Sequence, residues 1–159
     1  MIVRRAQPAD QEAVLHIERQ SMLDPWSAPQ VAAELTAANG IGWVADSNGS
    51  VCGYVLFRVC APESELLRLA VSPSCRHKGV GRLLVEEALF FLKSLQGCDC
   101  CFLEVRAANE EAQRLYLRIG FVRIGRRKAY YSHPVDDAIV LRRDLANMKG
   151  GCREHTQRY

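Results

Sequence analysis

The sequence predicts one mixed α/β domain (an α+β arrangement) built on a central, mostly antiparallel sheet, and three observations predict it. Apolar spacing switches between period two and helical period in the order β, α, α, β, β, β, α, β, α, β, β, with no internal repeat and no linker. The run Asp46-Ser47-Asn48-Gly49-Ser50 is turn chemistry between two strand-like segments, which makes an antiparallel hairpin. The strand–helix–strand unit from Glu65 to Val105 requires a parallel crossover. Antiparallel hairpins around one parallel step give a mixed sheet with helices packed on it.

Taken in order, Ile2–Arg5 reads as the first strand. Pro8 suits the first turn of a helix that carries Val14 and Ile17 on one face. Asp24-Pro25-Trp26-Ser27 breaks that helix, and Ser27 caps a second one over Val31, Ala32 and Leu35 that ends at Asn39-Gly40. The hairpin strands are Ile41–Ala45 and Val51–Val59, and Glu65–Val71 continues the meander until Ser72-Pro73-Ser74 stops it. Val80, Leu84, Ala88, Phe91 and Leu95 form a helical stripe closed by Gly97. Cys100–Val105 is a compact apolar strand. Asn109 caps a helix with Ala112, Leu115, Tyr116 and Ile119 inward, and Gly120 ends it. Phe121–Ile124, Ala129–Tyr131 and Ala138–Leu141 supply the last strands, and Asn147–Tyr159 reads as a polar tail on a domain of residues 1–146.

Composition excludes several function classes. The chain has 159 residues, 48% of them apolar and 25% charged, the balance of one ordinary globular domain. No apolar run approaches the roughly 18 residues of a membrane span. The N-terminus has charge without an apolar h-region, so a cytoplasmic location is expected. Net charge is +3, and the densest basic cluster, Arg123, Arg126, Arg127 and Lys128, is too small to predict nucleic-acid binding. The seven cysteines include no CxxC pair, which predicts reduced, packed thiols and no metal site.

Two segments carry the chemistry. The first runs from Leu69 through Ser72-Pro73-Ser74-Cys75-Arg76-His77-Lys78-Gly79-Val80-Gly81-Arg82, between a strand and a long helix. Free N–H groups at a helix start, with Gly79 and Gly81 allowing close approach, suit an anionic phosphate. Arg76, Lys78 and Arg82 add positive charge there. Neither a Walker A loop nor the dinucleotide fingerprint fits, because GK[ST] is absent and Leu84 stands where the third glycine should be. What remains is R-x-x-G-x-G. The second segment is Leu103-Glu104-Val105-Arg106 through Asn109 to Gly120-Phe121. A carboxylate inside an apolar strand, as Glu104 is, is either paired with an arginine, Arg106 or Arg68, or kept for proton transfer.

Together the R-x-x-G-x-G loop and the N-x-x-A-x-x-L-Y-x-x-x-G-F stretch from Asn109 to Phe121 resemble the GCN5-related N-acetyltransferase (GNAT) superfamily, over Ile2 to about Leu145. Pro25-Trp26-Ser27, Leu103-Glu-Val-Arg106, Arg127-Lys-Ala-Tyr-Tyr131 and Asp137-Ala-Ile-Val140 are similar to its ribosomal-protein-alanine N-acetyltransferase (RimI-type) subfamily. The resemblance implies the GNAT fold, in which a parallel strand pair splays apart and about four helices flank the sheet. It implies acetyl-CoA as co-substrate, no metal, and a protein N-terminal amine as acceptor, the type case being the N-terminal alanine of ribosomal protein eighteen of the small subunit. By the same resemblance Glu104 is the general base and Tyr116 the general acid. Leu69, Ala70 and Val71 bind the pantetheine arm. The backbone of Arg76, His77, Lys78, Gly79, Val80, Gly81 and Arg82 holds the pyrophosphate, and Asn109 contacts the pantetheine near Tyr116. Trp26, Tyr130 and Tyr131 would flank the entering peptide. The expected partners are a ribosomal or other protein N-terminus, with no nucleic acid or membrane, and a monomer or weak dimer. A same-fold acetyltransferase of small amines or lysine side chains, and a CoA-binding module without turnover, are the competing expectations. The Ser132-His133-Pro134-Val135-Asp136 connection is short, so the wall on the acceptor side is expected to differ from that of some relatives.

Overall fold

In the computed structural model, which describes residues 1–146 and Met148, a seven-stranded sheet carries four α-helices. The strands are β1 (Ile2–Arg5), β2 (Gly40–Ser47), β3 (Ser50–Cys60), β4 (Glu63–Val71), β5 (Cys100–Arg106), β6 (Val122–Ser132) and β7 (Val135–Asp144). They lie in the order β1-β2-β3-β4-β5-β7-β6. Only the β4–β5 pair is parallel; the other five neighbours are antiparallel. The helices are α1 (Gln11–Ser21), α2 (Ala28–Thr36), α3 (Val80–Gln96) and α4 (Glu110–Ile119).

Alternation along the strands splits the core into two layers. On β3, Val55 and Phe57 face the layer that holds α3 and α4, where Leu84, Leu89, Leu92, Tyr116 and Ile119 are buried. Tyr54 and Leu56 face the layer of α1 and α2, with Val14, Ile17 and Val31. Each fully buried Leu or Val in these layers contributes on the order of 1.5–3 kcal/mol relative to exposure. Helix ends follow their capping residues. The Ser27 N–H and hydroxyl both donate to Gln30 Oε1 at 2.9 Å, Asn109 Oδ1 accepts the Ala112 N–H at 3.1 Å, and Gly97 and Gly120 close α3 and α4 with positive φ.

Local boundaries depart from the sequence expectation in three places. Pro8–Asp10 is a separate 3₁₀ turn ahead of α1. α2 stops at Thr36, and Gly40 already belongs to β2. The segments expected as Phe121–Ile124 and Ala129–Tyr131 form one strand, β6, with its register broken twice, and Phe121 packs just before it. The second break matters for the site. Lys128, Ala129 and Tyr130 bulge where β7 offers only Asp137, and Ala129 sits at φ +48. Asp137 holds the bulge: its Oδ1 accepts the Ala129 N–H at 2.8 Å and its Oδ2 accepts from Arg126 Nε at 2.6 Å. Those donors keep the Asp137 carboxyl below the usual carboxylate range. The tail expectation for residues 147–159 falls, Met148 apart, outside the described residues. No described helix is long and apolar enough to cross a membrane.

Candidate active site

The decisive backbone feature is where the parallel pair ends. β4 and β5 pair from Glu63↔Cys100 to Leu66↔Leu103 and no further. Beyond that point β5 continues on β7, with Glu104↔Val140, while β4 continues on β3 to Gly53↔Val71. The β5-facing edge of Leu69, Ala70 and Val71 is left without a strand partner, and Glu104 is the first residue past the fork. An open strand edge of this kind is a ready hydrogen-bonding surface for an extended ligand.

At the end of β4, the loop before α3 presents a second unpaired surface. His77 and Gly79 have φ +59 and +80, alternating with right-handed or extended neighbours. Among the described residues no carbonyl accepts the N–H groups of His77, Lys78, Gly79, Val80, Gly81 or Arg82, and the first intrahelical bond is Leu83 N–H to Gly79 O at 3.0 Å. Successive free amides at the positive end of a 17-residue helix fit a pyrophosphate. The two glycines act differently. A Cβ on Gly79 would meet nothing within 4 Å, so its need for glycine is its φ; a Cβ on Gly81 would sit 3.4 Å from Leu115 Cδ2 and 3.7 Å from Val71 Cγ2. The loop's basic side chains are engaged with the protein itself. Arg76 Nε donates to Val71 O at 3.1 Å and its Nη2 to Ser21 Oγ at 3.1 Å; Lys78 Nζ donates to Ser74 O at 2.9 Å; Arg82 pairs with Glu86 at 2.8 Å.

Glu104 is paired, but not with Arg106 or Arg68. Arg127 Nε reaches its Oε1 at 2.7 Å from the bulged strand β6, while the Glu104 side chain remains 19% exposed. Arg106 instead donates to the carbonyls of Pro134 and His133 at 2.9 and 3.1 Å and stacks on Tyr131 at 4.1 Å. The Glu104 carboxylate, as acceptor and as charge, pushes the Tyr130 phenol above its ordinary value. Burial and then the Glu104 charge do the same to Tyr131. The two tyrosine rings meet edge to face at 5.2 Å. Tyr116, on the inner face of α4, is 6% exposed and packs edge to face on Phe121 at 5.7 Å. Burial, with smaller contributions from Cys101 and Tyr131, pushes its phenol well up and keeps it protonated. Tyr131 is thus within electrostatic reach of both Glu104 and Tyr116. Asn109 spends its side-chain oxygen on capping α4. Trp26, in the α1–α2 connection, lies under the Arg68 guanidinium at 4.6 Å.

Sequence reasoning missed three supports. Gln113 is buried in α4; its Nε2 donates to the carbonyls of Arg106 and Ala107 at 3.1 and 2.8 Å, and its Oε1 accepts from Arg123 at 2.8 Å. It therefore ties the end of β5 to α4. Arg127 is the partner of Glu104, and Glu18 of α1 is buried beneath the Trp26 connection. None carries a local signal, since each is an ordinary polar residue until tertiary contacts are known.

The profile of the acetyltransferase (GNAT) family matches residues 11–121, from α1 through α4. The chain belongs to the GNAT acetyltransferase family. Among GNAT relatives, the N-alpha-acetyltransferase RimI of Mycobacterium tuberculosis is 33% identical over 142 residues, covering 86% of this chain and 87% of that one. The crystal structure of the ribosomal-protein-S18-alanine N-acetyltransferase from Escherichia coli superposes with a TM-score of 0.86 at 28% identity, over 94% of this chain and 96% of that one. Arabidopsis thaliana NAA60 in complex with acetyl-CoA shares the GNAT fold at a TM-score of 0.81 and 18% identity, over 90% of this chain and 97% of that one. Among the described residues no group of three or more His, Cys, Asp or Glu could hold a metal ion.

Proposed function

We propose that this GNAT protein is an acetyl-CoA-dependent N-α-acetyltransferase of a protein N-terminal amine, with the N-terminal alanine of ribosomal protein eighteen of the small subunit as its acceptor. The observation that carries the reading is the placement of Glu104 at the fork, where the open edge of β4 begins and Arg127 and Tyr130 of the bulged strand β6 approach its carboxylate. Support for the acceptor comes from the relatives, one an N-alpha-acetyltransferase and one acting on S18-alanine.

The reaction moves an acetyl group from the CoA thioester to the amine and releases CoA thiol. An α-ammonium has a reference pKa of about 7.7–8.0, so a modest base suffices to free its lone pair. Glu104 takes that proton, directly or through one water, and Arg127 holds the carboxylate oriented meanwhile. Burial keeps Tyr116 protonated until the intermediate collapses; it then gives its proton to the departing sulfur and regains one from the nitrogen, which loses its second proton in the same collapse. Leu69, Ala70 and Val71 hold the pantetheine arm along the open strand edge and polarise the thioester carbonyl. The amides of the loop from Arg76 through Arg82 hold the pyrophosphate, and Asn109 borders the pantetheine beside Tyr116. Trp26 and Tyr130–Tyr131 flank the acceptor backbone.

The test is a mass-spectrometric assay with acetyl-CoA and two peptides. One copies the alanine-led N-terminus of ribosomal protein eighteen; the other has that amine blocked and an internal lysine free. A 42-Da gain, about the mass of one acetyl group, on the first peptide alone and lost in Glu104→Gln, is the expected result. Acetylation of the second alone assigns the enzyme to lysine side chains or small amines, and binding of CoA without transfer to either makes it a binding module.

A further inference from the structure

One buried ionisable side chain stands outside the reaction described above. Glu18, on α1, has a side chain that is 0% exposed and lies among Val14, Ile17, Tyr54, Leu56 and Ala70. A carboxylate in such a layer is costly unless every lone pair is engaged. Here it is engaged from three directions. The Tyr54 hydroxyl of β3 donates to Oε2. The Trp26 N–H donates to Oε1 at 3.0 Å, and Arg68 Nε of β4 stands 3.4 Å from the same oxygen. Arg68 in turn donates to Asp24 O at 3.0 Å and lies 4.6 Å over the Trp26 ring. Two of the three partners therefore lead to one segment, the Asp24–Trp26 connection.

Stability alone does not account for this choice of residue. A buried ion pair rarely exceeds a well-packed apolar residue in stabilisation, and what it does supply is a single geometry. Apart from Met22 and Trp26, which pack against the α1–α2 layer, the connection is held by these polar contacts. Leu23, Asp24 and Pro25 are exposed, and the backbone of Trp26 is held by Glu18 rather than by a strand. The same Arg68 lies within electrostatic reach of Tyr131, on the opposite flank of the acceptor path.

We infer that Glu18 is a positioning residue for acceptor binding: through the Trp26 N–H and through Arg68 stacked on the Trp26 indole, it holds the α1–α2 connection in the arrangement that receives the peptide. The inference rests on the acceptor path proposed above, and acts through Trp26 and Arg68 rather than by contact with the reacting atoms.

The test uses the full chain carrying Trp43→Phe, which leaves Trp26 as the single indole, since the chain has two tryptophans. Glu18→Gln keeps the shape and the acceptor for the Trp26 N–H but loses the charge that holds Arg68; Arg68→Met breaks the pair from its partly exposed side. Each single variant is expected to raise the acrylamide quenching constant of Trp26 about twofold and the peptide KM about tenfold, with kcat and the acetyl-CoA KM within about twofold of the parent. The double variant is expected to add nothing further, because both remove one interaction. A purely structural Glu18 would lower Tm without moving the quenching constant or splitting KM from kcat, and that result overturns the inference. So do additive effects in the double variant. If Glu18→Gln fails to fold, Arg68→Met gives the same readouts alone. If the parent acetylates no α-amine, the proposed function fails, and the quenching cycle still decides whether Glu18 holds Trp26.

Discussion

Gly79 and Gly81 sit two residues apart in one loop, yet replacing each by alanine should move stability in opposite directions. Gly79 occupies φ +80 with open space around a would-be Cβ. Alanine there meets no atom but must adopt the left-handed conformation, at about 1–2 kcal/mol. The stiffer unfolded chain returns roughly 0.4–1 kcal/mol of that, leaving a net loss of about 1 kcal/mol. For a domain of this size, 1 kcal/mol corresponds to a Tm shift of roughly 2–4 °C. Gly81 is inside the first turn of α3 at ordinary φ, and its Cβ would find Leu115 at 3.4 Å and Val71 at 3.7 Å, contact distance rather than collision. Gly81→Ala should gain about 0.5 kcal/mol from helix propensity, or a rise of about 1–2 °C. The assays are differential scanning calorimetry and acetyl-CoA titration. Because the amides of His77 to Gly81 form the proposed phosphate cradle, Gly79→Ala should also raise the acetyl-CoA KM about tenfold, as loss of two well-aligned amide bonds would. Gly81→Ala should leave it near the parent value. A Gly79→Ala protein that melts with the parent and binds acetyl-CoA equally well would refute both the backbone argument and the assignment of the loop.

Three further outcomes follow from the contacts described. Tyr116→Phe should lower kcat on the order of 10²-fold while leaving Tm and acetyl-CoA binding near the parent, read by steady-state kinetics and calorimetry. Asp10, held below its ordinary pKa first by the Arg4 hydrogen bond, has a depressed folded-state value. Its stabilisation is therefore complete above the unfolded carboxylate value near 3.9 and is lost as pH falls from there through the lower folded value, so the Tm gap between parent and Asp10→Asn should stay constant from about pH 6 to about pH 4.5 and narrow only below about pH 3.9, measured by circular dichroism. Leu89→Ala, at a fully buried α3 position, should cost roughly 2–5 kcal/mol and lower Tm by about 10 °C, with the acetyl-CoA KM of the remaining folded protein unchanged.

By itself the sequence determined what is local. Turn residues at Asp46–Ser50, the stripe from Val80 to Leu95, the cap at Asn109 and the stops at Gly97 and Gly120 each follow from neighbours within one or two turns; the hairpin, α3 and α4 stand where those signals place them, with the turn itself tightened to Asn48-Gly49 and Leu95 left exposed at the end of its stripe. The amide-rich loop was legible for the same reason: a glycine pair at a strand–helix junction is a statement about a few consecutive dihedrals. Tertiary structure alone decided the contacts that make a site. The fork at Leu66↔Leu103 depends on β7 pairing with β5 from thirty-odd residues away, which no window on β5 contains. The partner of Glu104 is Arg127 rather than Arg106 or Arg68 because β5 and β6 flank β7, setting Glu104 against Val140 and Arg127 against Ala138, whereas Arg106 is drawn off to the Ser132–Val135 turn and Arg68 to Glu18. Two of the three arginines available to one carboxylate were removed by carbonyls and an acid distant in the chain. Sequence names the charges; only their arrangement in space selects which of them meet.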